Sequence, residues 1–137
     1  MRRYIYIGVG GFLGAVSRYV LKDWLMLSIN DQLHLNIIII NIIGCFIFTY
    51  FLRLAIDVWQ VDTDIRIGVT SGFIGAFTTF SALCRDTVGL LNSGEILFSI
   101  INPLLSVLAG LAAIYLGDAA AKKLIKLMAQ FENNTKV

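Results

Sequence analysis

Four long apolar runs, separated by short polar segments, constrain the fold of this chain more than any other feature. They cover about 4–27, 35–56, 65–91 and 96–116. A helix of about 20 residues, at a rise of 1.5 Å per residue, is long enough to cross the hydrocarbon core of a bilayer. Hydrophobic residues make up 58% of the 137 residues, which is more than one soluble core of this size could bury. The chain is therefore predicted to be an integral membrane protein.

The fold class follows from the lipid environment. Only helices and closed barrels satisfy their backbone hydrogen bonds in lipid, and barrel strands would alternate polar and apolar residues, which these runs do not. We predict an all-α membrane protein in which 1–137 form a single four-helix transmembrane domain. The segment 117–137 is predicted to be a C-terminal tail. The fourth helix can continue into that tail as an amphipathic helix with Lys122, Lys123 and Lys126.

The third run contains a stretch that is unusual for a membrane helix. Glycine weakens a helix by about 1 kcal/mol relative to alanine, and hydroxyl groups have no water to bond in hydrocarbon. This stretch therefore predicts either a tight helix-packing seam or a helix break that binds something. Its ten residues are Gly72-Phe73-Ile74-Gly75-Ala76-Phe77-Thr78-Thr79-Phe80-Ser81.

Polar and small residues in the first two runs each allow a structural and a functional interpretation. Gly10 and Gly14 form a small-xxx-small pattern that favours close helix packing. Arg18 either reaches the lipid headgroups or faces the protein interior as an interfacial or vestibule charge. Asn41 lies near the middle of the membrane, where its amide needs a partner. It either bonds a neighbouring helix or donates into a pore.

The fourth run carries polar residues on one helical face. Ser99, Asn102 and Ser106 follow a spacing of i, i+3 and i+7, so their side chains project from the same side of a helix. This face either joins helices by hydrogen bonds or lines a water path. No membrane carboxylate pair, Ser/His/Asp set, phosphate loop or ligand cluster is present, and His34 stands alone, so neither an enzyme nor a site built from metal-ligating side chains is predicted.

The distribution of basic residues predicts the orientation of the chain. Eight Lys and Arg residues lie at the end of the bundle that holds both termini, and three lie at the opposite end. The positive-inside rule then places both termini in the cytoplasm, with the chain as a multi-pass protein of the cell membrane. A net charge of +2 without a basic patch argues against a nucleic-acid partner. The first group is Arg2, Arg3, Arg53, Arg66, Lys122, Lys123, Lys126 and Lys136, and the second is Arg18, Lys22 and Arg85.

Three motifs together resemble the CrcB/Fluc family of fluoride channels. The third run matches the family's Gly-Gly-x-Thr-Thr-Phe-Ser type motif over 75–81, and supporting matches lie at 10–19 and 41–44. The resemblance covers all four runs in order. It implies a passive, fluoride-selective channel subunit that exports cytoplasmic fluoride, with a broken third helix and an antiparallel, dual-topology-type dimer.

The resemblance also implies roles for particular residues. A structural Na⁺, which is not transported, is expected on the dimer axis, held by backbone carbonyls of Gly75 and Thr78. Unwound carbonyls that bind Na⁺ recur in membrane proteins. The fluoride pathway is expected to include Asn41, Phe80 and Ser81, with Ser106 as a candidate on the fourth helix. Gly10, Gly14 and Gly72 are expected to pack helices.

Several positions depart from the family pattern. Leu83 stands where the family has its second phenylalanine, and Ala82 and Cys84 replace a threonine and a serine. On the fourth helix the positions of the family's hydroxyl track are taken by Val107, Leu111 and Tyr115, so Ser106 or Asn102 would have to serve.

These departures and the unequal basic residues suggest a subunit of a heterodimer with a related, oppositely inserted chain, as against a homodimer. A non-conducting assembly partner is a further alternative. A small multidrug-type transporter is disfavoured because the first run has no carboxylate before Asp23.

Overall fold

The computed structural model describes residues 1–28 and 35–135, and all of the regular structure in these ranges is helical. The first two helices are α1 (Arg2–Ser28) and α2 (Leu35–Asp57). The third crossing consists of α3 (Thr63–Ile67), a π-helical segment (Gly68–Ile74), α4 (Gly75–Phe77) and α5 (Phe80–Asn92). The last helix is α6 (Ile96–Thr135). The predicted all-α fold is confirmed.

The described residues contain four helical stretches long and apolar enough to cross a membrane, in the predicted order. They are Arg2–Leu25, Leu35–Asp57, Thr63–Asn92 and Ile96–Phe131. The fourth helix continues past Leu116 into the segment with Lys122, Lys123 and Lys126, as the sequence allows, and α6 ends at Thr135. The predicted polar connection over 28–34 lies outside the described residues from position 29 on, and so do His34 and Lys136.

The bundle carries much of its apolar surface on the outside. In the most apolar stretch of α1 only 6% of residues are buried. Phe12 is 69% exposed and Tyr19 is 72% exposed, whereas the small interior is formed by fully buried residues such as Ile40, Leu54 and Ala121. A soluble domain does not expose apolar side chains on this scale. Lipid is the environment that such a surface fits.

Glycines allow α1 and the third crossing to pack backbone against backbone. A Cβ atom added at Gly10 would overlap the Gly68 carbonyl oxygen, and one added at Gly14 would overlap the Phe73 carbonyl oxygen. From the other side, a Cβ at Gly72 would lie 2.7 Å from the Ile7 carbonyl oxygen. The structure thus places the three predicted packing glycines in one seam, where a larger residue would push the helices apart.

The two ends of the bundle carry different sets of charges. At the end where α2 finishes, Arg3 pairs with Asp64 at 2.8 Å, and Arg53 pairs with Asp57 at 2.9 Å and with Asp118 at 3.7 Å. These ion pairs connect α1 with α3 and α2 with α6. The second basic group, Arg18, Lys22 and Arg85, lies together at the opposite end. Which end faces the cytoplasm stays a prediction.

Candidate ion pathway and cation site

Two extended residues interrupt the helical backbone of the third crossing. Thr78 has φ −76° and ψ 154°, and Thr79 has φ −147° and ψ 107°. Asn41 of α2 bonds the backbone of Thr79 in both directions. The Thr79 N–H donates to Asn41 Oδ1 at 2.8 Å, and Asn41 Nδ2 donates to the Thr79 carbonyl at 3.3 Å. One side chain therefore satisfies both polar backbone groups of an extended residue that is buried.

Both alternatives for Asn41 are compatible with this geometry. The hydrogen bond between helices is present, and it uses one hydrogen of the Nδ2 group. An amide NH₂ has two hydrogens, so a second donor remains for another acceptor. Asn41 is half-buried and lines a surface groove, so this donor has access to space outside the bundle.

The same hydrogen bonds remove the usual helical partners of two carbonyl groups. In a continuous helix the Thr79 N–H would donate to the Gly75 carbonyl, but here it donates to Asn41. The Ala82 N–H would donate to the Thr78 carbonyl, but it donates to Thr79 Oγ1 at 3.3 Å and so caps α5. Gly75 and Thr78, the two residues expected to hold a cation, have thus both lost the i+4 donor.

Gly75 and Thr78 line a shallow groove of about 210 Å³, called the Gly75 groove below. Gly75 is exposed and Thr78 is half-buried. The Thr78 methyl group packs so closely on Gly44 that a Cβ atom there would overlap it. The threonine hydroxyl donates to the Ile74 carbonyl at 3.0 Å. The described residues that line this groove come from α2, the third crossing and α6, and the groove is open to the surface.

A second groove brings three of the predicted pathway residues together. Asn41, Phe80 and Ser106 all line this space of about 330 Å³, called the Phe80 groove below. Leu83, Val107 and Leu111 line it as well, so the apolar departures from the family pattern face the same space. Phe80 is 78% exposed in the single subunit. The Phe80 ring can therefore contact an ion in this groove without any rearrangement of the protein core.

A third cavity collects the basic residues of the opposite end of the bundle. It encloses about 450 Å³ and is lined by Arg18, Lys22 and Arg85 together with Thr79 and Ser81. We call it the cationic pocket. Arg85 lies 3.9 Å from Asp86, and its side chain is 71% exposed. Ser81 thus lies in the cationic pocket and not in the Phe80 groove, and Thr79 lines both spaces.

Polar residues are also buried on α5 and α6. Ser99, Asn102 and Ser106 are all buried, as their shared helical face predicts, but among them Ser106 alone lines the Phe80 groove. Among the described side chains, Asn102 Oδ1 and Asp86 Oδ2 are buried without a hydrogen-bond partner. Sequence reasoning did not single out Asp86. A carboxylate between Leu83 and Leu90, on the buried face of an apolar run, was the signal that could have found it.

Three other contributors were also missed as site residues. Thr79 shapes the site through its backbone and its capping hydroxyl, and the motif alone does not separate this role from that of Thr78. Lys22 and Arg85 entered the sequence analysis as charges that orient the chain. Their meeting in one pocket depends on the packing of α1 against the third crossing, which charge counting does not reveal.

Comparison with known proteins supports the sequence resemblance. The family described as CrcB-like protein, Camphor Resistance (CrcB), matches residues 5–118. A protein named fluoride-specific ion channel FluC from Geotalea daltonii is 36% identical over 122 residues, covering 89% of this chain and 98% of the relative. FluC of Geotalea uraniireducens is 36% identical, covering 90% of this chain and all of the relative.

A further relative, fluoride-specific ion channel FluC 2 from Listeria monocytogenes, is 35% identical, with 89% of this chain and 92% of the relative covered. These relatives are named as ion channels and not as enzymes, which agrees with the lack of a catalytic constellation in the sequence. All four apolar runs fall within the matched region. The chain is a multi-pass membrane protein and belongs to the CrcB-like family of fluoride-specific ion channels.

Proposed function

We propose that this chain is a channel subunit that lets fluoride leave the cytoplasm passively and so lowers its toxicity. The observation that carries the proposal is the meeting of the cationic pocket and the Phe80 groove at Thr79. Together they form a route with cations at its mouth and hydrogen-bond donors along its wall. An anion leaving water needs such donors, because they replace its hydration shell.

Each part of the route has a distinct task. In the predicted orientation the cationic pocket faces the outside, so Arg18, Lys22 and Arg85 would stabilise the anion at the exit of the route, as clustered charges in a cleft do. Beyond Thr79, the second Nδ2 hydrogen of Asn41 and the Ser106 hydroxyl can donate to fluoride. The edge of the Phe80 ring carries partial positive charge, so it faces an anion favourably without binding it as tightly as a full charge would.

The membrane potential is a sufficient driving force for export. Moving one charge across 100 mV is worth about 2.3 kcal/mol, which holds internal fluoride roughly 50-fold below the external concentration. A channel needs neither a cofactor nor nucleotide hydrolysis for this purpose. Passive export therefore requires only that the pathway is continuous and selective for fluoride.

The structural Na⁺ of the family fits the residues found here. Gly75 and Thr78 have each lost the helical donor to their carbonyl, and carbonyl oxygens are hard ligands that suit a hard cation. When bound, Na⁺ would supply positive charge and a fixed link between subunits. In an antiparallel dimer the same two residues of both subunits would give four carbonyl ligands. The open side of the Gly75 groove is where a second subunit would complete the site.

The dimer is proposed to combine this chain with an oppositely inserted subunit. Unequal basic residues favour one orientation, with both termini in the cytoplasm, so a related chain of opposite orientation would be the partner in a heterodimer. A homodimer requires insertion in both directions. Protease protection of a tag at the C-terminus distinguishes them. A fully accessible tag supports the heterodimer, and a tag that is half protected in a conducting preparation supports the homodimer.

A second candidate function rests on Leu83. This side chain lines the Phe80 groove and is only 5% exposed, so the groove lacks a second aromatic edge. A subunit of this kind can serve as a non-conducting partner that assembles a related channel. The candidate predicts no fluoride flux from this chain alone and restored flux when the partner chain is present.

Fluoride efflux from liposomes that contain the purified chain tests the proposed function. We expect rapid loss of fluoride and retention of chloride, which is larger and fits donors spaced for fluoride less well. Asn41→Asp should reduce the flux by a factor of ten or more, since a fixed negative charge beside the route costs at least about 1.4 kcal/mol. Loss of chloride at the same rate, or undiminished fluoride flux through Asn41→Asp, would contradict the proposed route.

Phe80→Ile separates an effect on flux from an effect on folding better than Asn41→Asp does, because the exposed Phe80 ring contributes little to the packing of the subunit. It should reduce fluoride flux and leave the elution volume of the assembled protein unchanged. Phe12→Ile is the matched control, since Phe12 is comparably exposed on α1 and lines none of the three spaces described above. Equal flux through Phe80→Ile and Phe12→Ile would remove Phe80 from the pathway.

A further inference from the structure

Two side-chain oxygen atoms are buried without a hydrogen-bond donor in the part of the chain that the structure describes. They are Asp86 Oδ2 on α5 and Asn102 Oδ1 on α6. Asp86 is 9% exposed and Asn102 is 1% exposed, so solvent at the surface does not satisfy them. A buried acceptor without a donor is costly, and more so when it belongs to a charged group. Both oxygens therefore need a donor that the described side chains do not supply.

The turn between α5 and α6 places these two residues at the same level of the bundle. Residues 93–95 join the helices, which then run back along each other. Asp86 and Asn102 lie eight residues before and after Gly94. At 1.5 Å per residue, each is about 12 Å from the turn. The hairpin thus brings the two residues opposite each other along the helix axes.

The buried faces of the two helices support this register. Leu83 of α5 and Ser106 of α6 line the same Phe80 groove. Asp86 follows Leu83 by three residues, and Asn102 precedes Ser106 by four, so each lies about one helical turn nearer the loop on the same face. All four residues are buried. The two oxygens without donors therefore belong to neighbouring positions, one turn away from the Phe80 groove.

Donors close to this level already bond elsewhere. The Ser99 hydroxyl donates to a carbonyl of its own helix at 2.7 Å, and the Thr87 hydroxyl does the same at 2.8 Å. Arg85 Nε lies 3.9 Å from the other carboxylate oxygen, Asp86 Oδ1, which is beyond hydrogen-bond distance. The Arg85 side chain is 71% exposed and belongs to the cationic pocket. None of these three groups donates to Asp86 Oδ2 or to Asn102 Oδ1.

We propose that a buried water molecule bridges α5 and α6, donating one hydrogen to Asp86 Oδ2 and the other to Asn102 Oδ1. The two hydrogens of water equal the number of acceptors that need a donor. Buried waters occupy polar sites of this kind and make about two to four hydrogen bonds. Ser106, one turn from Asn102, gives water a polar connection to the Phe80 groove. The polar face of α6 then joins α5 with water as the link.

Other occupants fit the two oxygens less well. Hard divalent cations take about six or more oxygen ligands, whereas two oxygens without donors are found here among the described side chains. A proton on the Asp86 carboxyl group would link the same two oxygens. It differs from water in a measurable way, because the ¹³C resonance of a carboxyl carbon shifts on protonation. Water and a proton can therefore be distinguished by experiment.

Water-edited solid-state NMR of the full-length chain in lipid bilayers tests the site. The method measures how fast magnetisation passes from water to labelled side-chain carbons. Asn36 is the matched control for Asn102, because it is a buried asparagine whose Oδ1 already accepts from the Ile37 N–H at 2.7 Å. Asn36 is 7% exposed, so exposure alone predicts faster transfer to Asn36 than to Asn102. A bridging water predicts the reverse order.

Asp86→Leu provides the second arm of the test. The change removes one acceptor and fills the site with an apolar side chain, so water transfer to Asn102 should fall to the level of Asn36. Gly89→Ala in the same helix is the control variant, since nothing lies within 4 Å of its added Cβ. It should leave the transfer to Asn102 unchanged.

Three results would contradict the bridging water. Transfer to Asn102 that is no faster than transfer to Asn36 in the unmodified chain would overturn the proposal without any variant. A carboxylic-acid resonance at the Asp86 carboxyl carbon, together with slow transfer to Asn102, would assign a proton in place of water. Undiminished transfer in Asp86→Leu would show that Asp86 does not hold the water. Fluoride flux does not enter these measurements, so their outcome is independent of the channel function.

Discussion

The two halves of the third crossing are held in place by different physical means. Before Thr78, the segment from Gly68 to Phe77 contacts α1 through glycines, and its position depends on the absence of side chains at Gly10, Gly14 and Gly72. After Thr79, α5 is held by a capping hydroxyl and by the bonds between Asn41 and the Thr79 backbone. One half is positioned by steric limits and the other by polar partners.

This difference predicts that the two halves respond to opposite kinds of substitution. The glycine seam should tolerate changes in polarity but not the addition of a methyl group. At Thr78 and Thr79, the two extended residues, a substitution that keeps the size of the side chain should be tolerated. A substitution that removes a hydrogen-bonding group should not. The steric effect should be the larger, because its obstacle is a backbone carbonyl that no change of rotamer can move.

Gly14→Ala should give the largest loss of stability. Its Cβ would overlap the Phe73 carbonyl oxygen, so α1 and the third crossing would have to separate. Overpacking of this kind costs about 1–3 kcal/mol, and we expect the upper end because the obstacle is the Phe73 backbone, which cannot change its rotamer. Thermal unfolding in detergent micelles measures the effect. Gly8→Ala in the same helix is the control, since nothing lies within 4 Å of its added Cβ. Similar melting temperatures for the two variants would remove the steric account.

Asn41→Leu should give the second largest loss of stability. It leaves the buried N–H and carbonyl of Thr79 without partners, and an unsatisfied buried polar group costs about 1–3 kcal/mol, partly offset here by the added apolar side chain. Denaturant or thermal unfolding would record this loss.

The control is Thr49→Val, because the Thr49 hydroxyl donates to Cys45 within α2 and joins no second helix. We expect that change to stay within about 0.5 kcal/mol. If Asn41→Leu and Thr49→Val lower the free energy of unfolding by the same amount, the bonds between Asn41 and Thr79 contribute no more than the bond between Thr49 and Cys45 within α2.

Thr79→Val and Thr78→Val should give the smallest effects, and they compare neighbouring residues of identical type. The first removes the hydroxyl that accepts from Ala82, and loss of such a helix cap costs about 1 kcal/mol. The second removes a bond to the Ile74 carbonyl, which also accepts from the Thr78 N–H at 2.9 Å. We therefore expect less than about 0.5 kcal/mol for Thr78→Val. Hydrogen exchange of the α5 amides in the two variants checks the order, and a reversed order would contradict it.

The sequence predicted the fold and the location of the site well, but it did not predict the geometry within the site. Length and hydropathy were sufficient for the four crossings, because the thickness of a bilayer limits what an apolar run of this length can do. Motif spacing was sufficient to single out Asn41 and the stretch around Thr78. Neither method could show that the Asn41 amide bonds the Thr79 backbone, since that contact joins residues 38 positions apart.

The sequence allowed the fourth helix to continue to Lys126, but it predicted neither the end of α6 at Thr135 nor the separation of Ser81 from Phe80. Hydropathy falls after Leu116, but alanine, leucine and lysine all favour helix, so propensity carries α6 on where apolar character declines. Ser81 follows Phe80 directly, yet a turn of 100° per residue directs the two side chains into different spaces. Adjacency in sequence therefore does not tell which of the two spaces each side chain lines, and the assignment of Ser81 to the pathway stays a prediction.

The paired hydrogen bonds of Asn41 also restrict how the channel can move. Sliding α2 by one residue along the third crossing shifts it by 1.5 Å, which is enough to break both bonds to Thr79 at once. These two bonds therefore hold the parts of the Phe80 groove that α2 and Thr79 form in one register. If fluoride takes the proposed route, sliding of α2 along the third crossing would not serve as its gate.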